Sequence, residues 1–351
     1  MKYYVVSDVH LHKFNEFSRN EGPFGNSRLL NQLSGLEDIL KSARDDSEET
    51  TLLFLGDLYH QRGKVDTEVF NEGYKLFSKY PDIPVYMLEG NHDNVNNSIN
   101  SPSSLELFSL LPNVTLIPTY EKVKVEGTED TFVGISYGEE FSELKTFIKE
   151  NKATFILGHL GIEGAIGAGS TRLDGPFTTQ DLLVGKNYQL GLLGHYHGRQ
   201  ELVKNLWYVG NPVAQNFSDE GQEKGYMTFT TDSKGTYIEG SLEFHNLGYP
   251  MFIKITDENL SDYVDRLDSV TKNNYVRLVV NDLSANTLKL SEDHLENEEN
   301  IRVEKQIKVE SKTRINITSD DSLEEVAKSW SDEFQPDNKE TIIKQLRKVI
   351  Q

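Results

Sequence analysis

An α/β layered fold, followed by a small second α/β module and a helical tail, is predicted for this chain by three observations. Up to about residue 200, short apolar runs alternate with amphipathic stretches, which is the pattern of strands and covering helices in a layered domain. Five of the apolar runs end in a short motif carrying Asp, Asn or His. A compact strand and helix pattern then restarts beyond a Gly-Tyr-Pro turn at 248–250. At roughly 100–200 residues per domain, the 351 residues allow about two domains.

Taken in order, Lys2 to Ser7, Thr51 to Leu55, Val85 to Leu88, Thr154 to Leu157 and Leu190 to Leu193 are expected buried strands. Leu29, Leu33, Leu36 and Leu40 recur at helical spacing between the first two, and Phe70, Tyr74 and Phe77 do so between the second and third. Tyr226 to Thr230 and Thr236 to Phe244, around a turn with Asp232 and Gly235, are expected to pair as a closing hairpin. This bounds a first domain at 1–245. A second, at 250–315, is drawn from strands at Met251 to Ile255, Tyr275 to Val280 and Ile301 to Val309, with a helix through Leu260, Val264 and Leu267. The acidic run Glu292 to Glu299 is expected to be a solvated loop. In the tail, 320–351, Ser322 with Glu325 and Asp337 with Glu340 resemble capping boxes. Each opens a short amphipathic helix, one lined by Leu323, Val326, Trp330 and Phe334 and the other by Ile343 and Leu346. Helices this short need something to pack on.

Composition removes whole classes of chemistry. With no cysteine there is no disulfide, no thiolate metal site and no cysteine nucleophile, so any metal must be held by His, Asp, Glu or Asn. No stretch approaches the roughly 18 apolar residues of a membrane span, so a cytoplasmic chain without membrane contact is expected, and the sequons at Asn113, Asn216 and Asn316 carry no meaning. The net charge of −20 argues against coating nucleic acid by bulk electrostatics. A nuclease is still compatible, because bound cations supply positive charge where the scissile phosphate sits.

Histidine placement is the most informative feature, since seven of the nine precede residue 200. The strand-end motifs read Asp8-Val-His10, Gly56-Asp57-Leu-Tyr-His60, Gly90-Asn91-His92-Asp93, Gly158-His159 and Gly194-His195-Tyr-His197. In α/β sheets, ligands bind beyond the carboxyl ends of the strands, so these segments are expected to supply one rim. Oxygen and imidazole donors suit manganese, iron or zinc. Asp8, His10 and His197 are assigned to one ion and Asn91, His159 and His195 to a second, with Asp57 bridging. Alternation along an extended strand end is expected to put His195 and His197 on one face. Paired ions acidify a shared water and clamp phosphoryl oxygens, which leaves His92 as the general acid, with Asp93 orienting it.

This set resembles the calcineurin-like metallophosphoesterases, in which a layered β-sandwich is flanked by helices. His60, three past Asp57, is similar to the nuclease subunit of SbcCD-type ATPase and nuclease complexes. Tyr208-Val-Gly-Asn-Pro-Val-Ala-Gln-Asn-Phe217 resembles that family's Tyr-x-Gly-Ser segment, with Asn211 replacing Ser. The length and the Gly-Asn-Pro form look most like the recombination nuclease subunits of large tailed phages. The motif resemblance spans residues 1–245, and the cap and tail resemble the family by position alone. It implies two manganese ions on Asp8, His10, Asp57, Asn91, His159, His195 and His197, His92 as catalytic acid and His60 positioning the phosphate. It also implies a DNA substrate, a cap domain facing DNA, and a tail docking an SMC-like coiled-coil ATPase. A homodimer within a heterotetramer, in a bacterial host cytoplasm if phage-encoded, follows from the same resemblance. The expected activity is DNA exonuclease and endonuclease cleavage in replication, repair and recombination. The alternatives are a phosphatase or cyclic-nucleotide phosphodiesterase, and a non-catalytic scaffold that retains the metal site.

Outside those motifs, His12 is expected to be a surface residue and His245 and His294 to be structural or exposed. Lys13, Arg62, Lys64, Arg172 and Arg199 are candidates for a local phosphate-contacting rim. The glycine-rich run from Gly161 to Gly169 lacks a following Gly-Lys-Ser/Thr and is expected to be a mobile loop beside His159 rather than a phosphate cradle.

Overall fold

Four strands open the chain as a parallel ladder in sequential order: β1 (Lys2–Val6), β2 (Thr50–Leu55), β3 (Val85–Leu88) and β4 (Val114–Leu116). Helix α1 (Ser27–Arg44) connects β1 to β2, and α2 (Thr67–Ser78) connects β2 to β3. Both helices start on a side-chain cap, as orphan N–H groups require. Asn26 accepts from the Leu29 amide, and Asp66 from those of Glu68 and Val69. The chain then builds a second sheet from β5 (Lys122–Lys124), β6 (Thr131–Ile135), β7 (Phe155–His159), β8 (Leu190–Gly194), β9 (Gln200–Val203) and β10 (Leu206–Tyr208), with α3 (Phe141–Glu150) between β6 and β7. Its spatial order is β5-β6-β7-β8-β10-β9. Finally β11 (Gly225–Thr230) returns antiparallel to β1, and β12 (Glu243–Asn246) pairs with β11.

The period of two along each strand sorts side chains into layers. In β1 and β2, Tyr3, Val5, Leu53 and Leu55 meet Phe132, Phe155 and Leu157 of the second sheet. Their neighbours Tyr4, Val6, Leu52 and Phe54 face the other way, onto Leu36, Ile39 and Leu40 of α1 and Phe77 of α2. On the outer face of the second sheet, Val133, Ile135 and Ile156 pack against Leu144 and Ile148 of α3. The result is helix, sheet, sheet, helix, the α/β class predicted from the alternation. Each fully buried side chain of this kind contributes about 1.5–3 kcal/mol by burial.

A three-stranded sheet follows, with β13 (Phe252–Thr256) parallel to β14 (Tyr275–Val280), β15 (Ile301–Lys305) on the far side of β14, and α4 (Leu267–Asn273) before β14. It has its own core of Ile255, Leu267, Val270, Val276, Leu278 and Ile301. It seats on the layers through a second apolar cluster in which Phe252 and Tyr275 meet Phe17 and Ala214. The computed structural model describes residues 1–167, 170–263, 266–280, 299–305, 323–334, 340–341 and 343–345. It divides into compact units Met1–Glu304 and Lys305–Gln351, and the second contains helix α5 (Leu323–Phe334), on which Trp330 and Phe334 pack ring to ring at 5.8 Å. No helix among the described residues is long and apolar enough to cross a membrane.

Several elements depart from the sequence pattern. The partner of β11 is Glu243–Asn246 rather than Thr236 to Phe244, because Ser241 turns in to bond Thr230 and the earlier part of the return is limited to a bridge of Tyr237 with Thr231 and a bond from the Ile238 amide to the Thr230 carbonyl. The helix expected through Leu260 and Leu267 is a 3-10 turn at Leu260–Asp262, and the α-helix starts at Leu267. Glu299, expected in a solvated loop, accepts from the Asn20 amide at 2.9 Å. The rest of the acidic run with His294, the end of the Ile301 to Val309 strand, Ser322 and the Asp337 cap lie outside the described residues.

Candidate metal centre

The carboxyl ends of β1, β2, β7 and β8 converge with the loop after β3, and all the predicted ligands meet there. The Asp8–Leu11 and Gly56–His60 loops run side by side: the Asp8, His10 and Leu11 amides donate to the carbonyls of Gly56, Asp57 and Leu58 at 2.8–3.0 Å. This pairing forces sharp exits from the strands. Asp8, His10, Asp57 and His195 all adopt left-handed φ, at 56°, 51°, 58° and 98°. Non-glycine residues hold such backbone only where surrounding contacts over-determine it, commonly at functional sites. Gly56 has φ 92°, and a Cβ there would lie 2.6 Å from His159 Nδ1. A Cβ on Gly90 would overlap the Asp57 carboxylate.

Asp57 Oδ1 accepts from the His92 amide at 2.8 Å, while its Oδ2 lies 3.6 Å from His10 Nε2 and 3.4 Å from His159 Nε2. Asp57 therefore stands between two sets. In one, Asp8, His10 and His197 bring their donor atoms within 4.8 Å of one another, with the Nε2 atoms of His10 and His197 opposed at 3.1 Å. In the other, Asn91 Oδ1 lies 3.2 Å from His159 Nε2 and 3.0 Å from His195 Nδ1. His159 Nδ1 is committed to the Leu55 carbonyl at 2.7 Å, which aims Nε2 inward. Lone pairs converging from opposed imidazoles, and carboxylate to imidazole distances too long for a good hydrogen bond, fit cations between them. The nitrogen and oxygen donor set suits hard to borderline divalent ions.

Electrostatics follow from burial and crowding. Burial alone would depress His159, but the Asp57 and Asp8 carboxylates outweigh it and raise it to about 9. Asp57, despite its burial, is held well below the usual carboxylate range by His159 and His10. Burial raises Asp8 against the pull of His159 and His197. His195 is pushed down to about 3 by burial and by His159, and His60 to about 4 by burial and by His92.

A cavity of about 490 Å³ opens over these groups, walled by His10, His12, Lys13, Phe14, Arg28, His60, His92, His195, His197 and Gln215. The His92 ring is fixed by its Nδ1 against the His60 carbonyl. Asp93 does not orient it, contrary to expectation: its buried carboxylate accepts from the amides of Asp57, Leu58 and Gly90 at 2.7–3.0 Å, and so shapes the Asp57 turn instead. A second correction concerns His195 and His197. Strand β8 ends at Gly194, so a left-handed turn at His195, not strand alternation, brings both rings inward. His12 is at the cavity wall rather than on the open surface, 5.2 Å ring to ring from His60. His245 bonds Thr228 at 2.8 Å, away from the centre.

Of the expected basic rim, Lys13 lines the cavity and pairs with Glu68. Arg62 bonds the Asn91 carbonyl at 2.7 Å, and Arg199 pairs with Glu223 at 3.1 Å. The described part of the glycine-rich run is tied down, with the Gly164 and Gly167 amides donating to the Leu173 and Thr171 carbonyls at 2.8 Å. Tyr208 holds its start, donating to Leu160 O at 2.7 Å and accepting from the Ile162 amide at 2.9 Å.

Sequence reasoning missed a group of buried polar residues behind the centre. Gln32 on α1 donates to the His10 carbonyl at 2.8 Å, and Gln215 donates to the Val9 carbonyl at 2.9 Å. Lys224 joins Asp219 and the His197 carbonyl at 2.8 and 2.9 Å. For Arg28 and Gln32 there was a signal: two long polar residues one turn apart, each immediately preceding a leucine of the α1 apolar stripe.

Comparison with known proteins agrees with this geometry. The chain is 26% identical over 301 residues to exonuclease subunit 1 of Enterobacteria phage T4, covering 84% of this chain and 81% of that protein. It is 23% identical over 329 residues to a subunit of the nuclease SbcCD of Staphylococcus epidermidis, covering 80% of this chain and 87% of that protein. Residues 1–199, more than half of the chain and the segment that supplies every predicted ligand, match the calcineurin-like phosphoesterases. The chain belongs to that family of metal-dependent hydrolases.

Proposed function

We propose that this protein is a two-metal DNA nuclease, with exonuclease and endonuclease action in end processing, repair and recombination, working with an SMC-like coiled-coil ATPase. The observation that carries the phosphodiesterase chemistry is the position of Asp57 between two donor sets on the floor of an open cavity that His92 and His60 flank. Asp8, His10 and His197 would hold one divalent ion and Asn91, His159 and His195 the other, with Asp57 shared and manganese as the ion. Such ions supply Lewis acidity, acidifying water toward neutral pKa and neutralising phosphoryl oxygens. The remaining work falls to the chain. With Nδ1 donating to the His60 carbonyl, His92 can carry a proton on Nε2 and deliver it to the departing 3′ or 5′ oxygen. His60, kept neutral by burial, acts as a hydrogen-bonding wall for the phosphate rather than as a cation.

DNA, rather than a small phosphoester, is supported by the reach of the two nuclease relatives, whose similarity runs through 301 and 329 residues, well past the family segment. On this reading residues 1–245 are the nuclease domain, 250–315 a cap facing DNA and 320–351 the docking tail. The test is an assay of labelled linear duplex beside a nitrophenyl phosphoester, with manganese and with chelator. Manganese-dependent duplex degradation supports the proposal; hydrolysis of the ester alone favours the phosphatase. Truncation before Ser322 should abolish co-purification with the ATPase while leaving ester hydrolysis intact.

A further inference from the structure

Arg28 is a buried cation, 6% exposed, at the wall of the cavity. Among the described residues no carboxylate pairs with it. Its guanidinium instead donates to the Glu16 carbonyl at 3.3 Å and the Gln215 carbonyl at 2.5 Å. Three aromatic faces surround it: the ring centres of Phe14, Phe252 and Tyr275 lie 4.0, 5.1 and 5.6 Å from the guanidinium carbon. Two of those rings belong to the three-stranded module, Phe252 on β13 and Tyr275 on β14. A desolvated cation with no carboxylate in direct contact stays inside only while such partners cover it.

From Arg28 the contacts lead directly to the proposed ligands. Gln215, whose carbonyl Arg28 holds, donates through Nε2 to the Val9 carbonyl at 2.9 Å. Gln32, one turn along α1, donates to the Gln215 side chain at 3.0 Å and to the His10 carbonyl at 2.8 Å, and accepts from the His12 amide at 3.1 Å. Val9 and His10 belong to the left-handed turn that aims Asp8 and His10 inward, with φ 56° and 51°. Strained backbone of this kind keeps its shape only under external bonds. On one side the turn is held by the Gly56, Asp57 and Leu58 carbonyls, and on the other by Gln32 and Gln215, of which Gln215 is held by Arg28.

We propose that Arg28 is a positioning residue that ties the seating of the β13–β15 module to the alignment of Asp8 and His10. The inference deepens the reading of those two residues as metal ligands. When Phe252 and Tyr275 cover the guanidinium, Arg28 stays inside and Gln215 and Gln32 hold the turn. When the module lifts, the cation hydrates, the Gln215 carbonyl loses its donor and the turn relaxes. A substrate that engages the module would thereby tune the centre without touching it.

The test uses the full chain in four forms: wild type, Arg28→Met, Phe252→Ala and the double variant. Amide hydrogen exchange at His10 and Leu11 is measured without metal, and manganese affinity by calorimetry. Each single variant should raise exchange at those amides and weaken manganese binding by about tenfold, and the double variant should do no more than either alone. Arg28→Lys, which keeps the charge but not the two-carbonyl fork, should fall between. It also serves, with Phe252→Leu, if the larger truncations fail to fold. Unchanged exchange at His10 and Leu11 in folded Arg28 variants overturns the proposal, as does an effect of the double variant equal to the product of the singles. A wild type that binds no manganese would instead overturn the ligand assignment, leaving the metal-free exchange comparison to decide the coupling.

Discussion

The two ends of the same sheets treat their acid groups in opposite ways. At the amino ends, the Asp130 carboxylate before β6 accepts from the Tyr3 hydroxyl at 2.5 Å and the Thr231 hydroxyl at 2.7 Å. Asp46, ahead of β2, pairs with Lys2 at 2.9 Å and accepts from Tyr4 at 2.7 Å. At the carboxyl ends, Asp8 and Asp57 face imidazole nitrogens at 3.4–4.0 Å, on backbone bent into the left-handed region. One end pairs its acids with hydroxyl and ammonium donors and thereby stabilises the fold. The other holds donors apart on strained turns, an arrangement that stabilises the protein little and prepares it for cations.

The sharpest way to break this contrast is to neutralise the shared acid. Asp57→Asn should lower manganese-dependent turnover by about 10³-fold or more, comparable to or beyond the loss of a strong electrostatic stabiliser, while thermal unfolding of the metal-free protein shows a folded chain. If turnover survives, Asp57 does not bridge. Next, His92→Gln should lose about 10²–10⁴-fold in turnover with both metals still bound; loss of metal in calorimetry would make His92 a ligand instead. At the other end the sign reverses. Asp130→Ala strands two buried hydroxyls, at about 1–3 kcal/mol each, and should lower the unfolding free energy by a few kcal/mol in denaturant titration with kcat unchanged.

The smallest effect belongs to Asp46→Asn, at under about 1 kcal/mol for a partly exposed pair. Its pH dependence is specific. The bond from Lys2, with Tyr4 adding to it, depresses the Asp46 carboxyl from 3.8 to about 2. A depressed carboxyl contributes stability that is fully present above its unfolded value and is lost as pH falls through the folded one. Wild type and Asp46→Asn should therefore differ at neutral pH and converge between about pH 4 and 2, provided the protein is still folded there, as followed by denaturant midpoints.

Much of the contrast was legible in sequence, and what was not has physical causes. The parallel strands showed because strands buried on both faces read as apolar runs, as Leu52 to Leu55 do. The gathering of Asp8, Asp57, Asn91, His159, His195 and His197 showed because each follows such a run. The edge strands β4, β5 and β9, and the three-residue β10 inside β9, were missed: three or four residues long, and at the edges partly exposed, as with Lys122–Lys124 and Gln200–Val203, they lack a periodic signal. The role of Asp93 was misassigned because adjacency to His92 in sequence says nothing about the turn that points its carboxylate at Asp57. The spacing of Arg28 and Gln32 on α1 marks them as unusual, but their partners, like that of Gln215, are backbone carbonyls of distant segments, which no local pattern encodes.

The opposed rings of His10 and His197 are 187 residues apart in the chain. Loop-closure entropy rises with such a span, and contacts this remote form late, after the layers between them have assembled. As the chain emerges from the ribosome, the first half can fold its β1–β4 ladder, but the pair of donor sets is incomplete until the segment carrying His195 and His197 has been synthesised and docked. The centre is thus a product of the completed fold rather than of any one segment. Because its donors are scattered across both sheets, cation binding opposes unfolding of the layered unit as a whole rather than fraying of any one element.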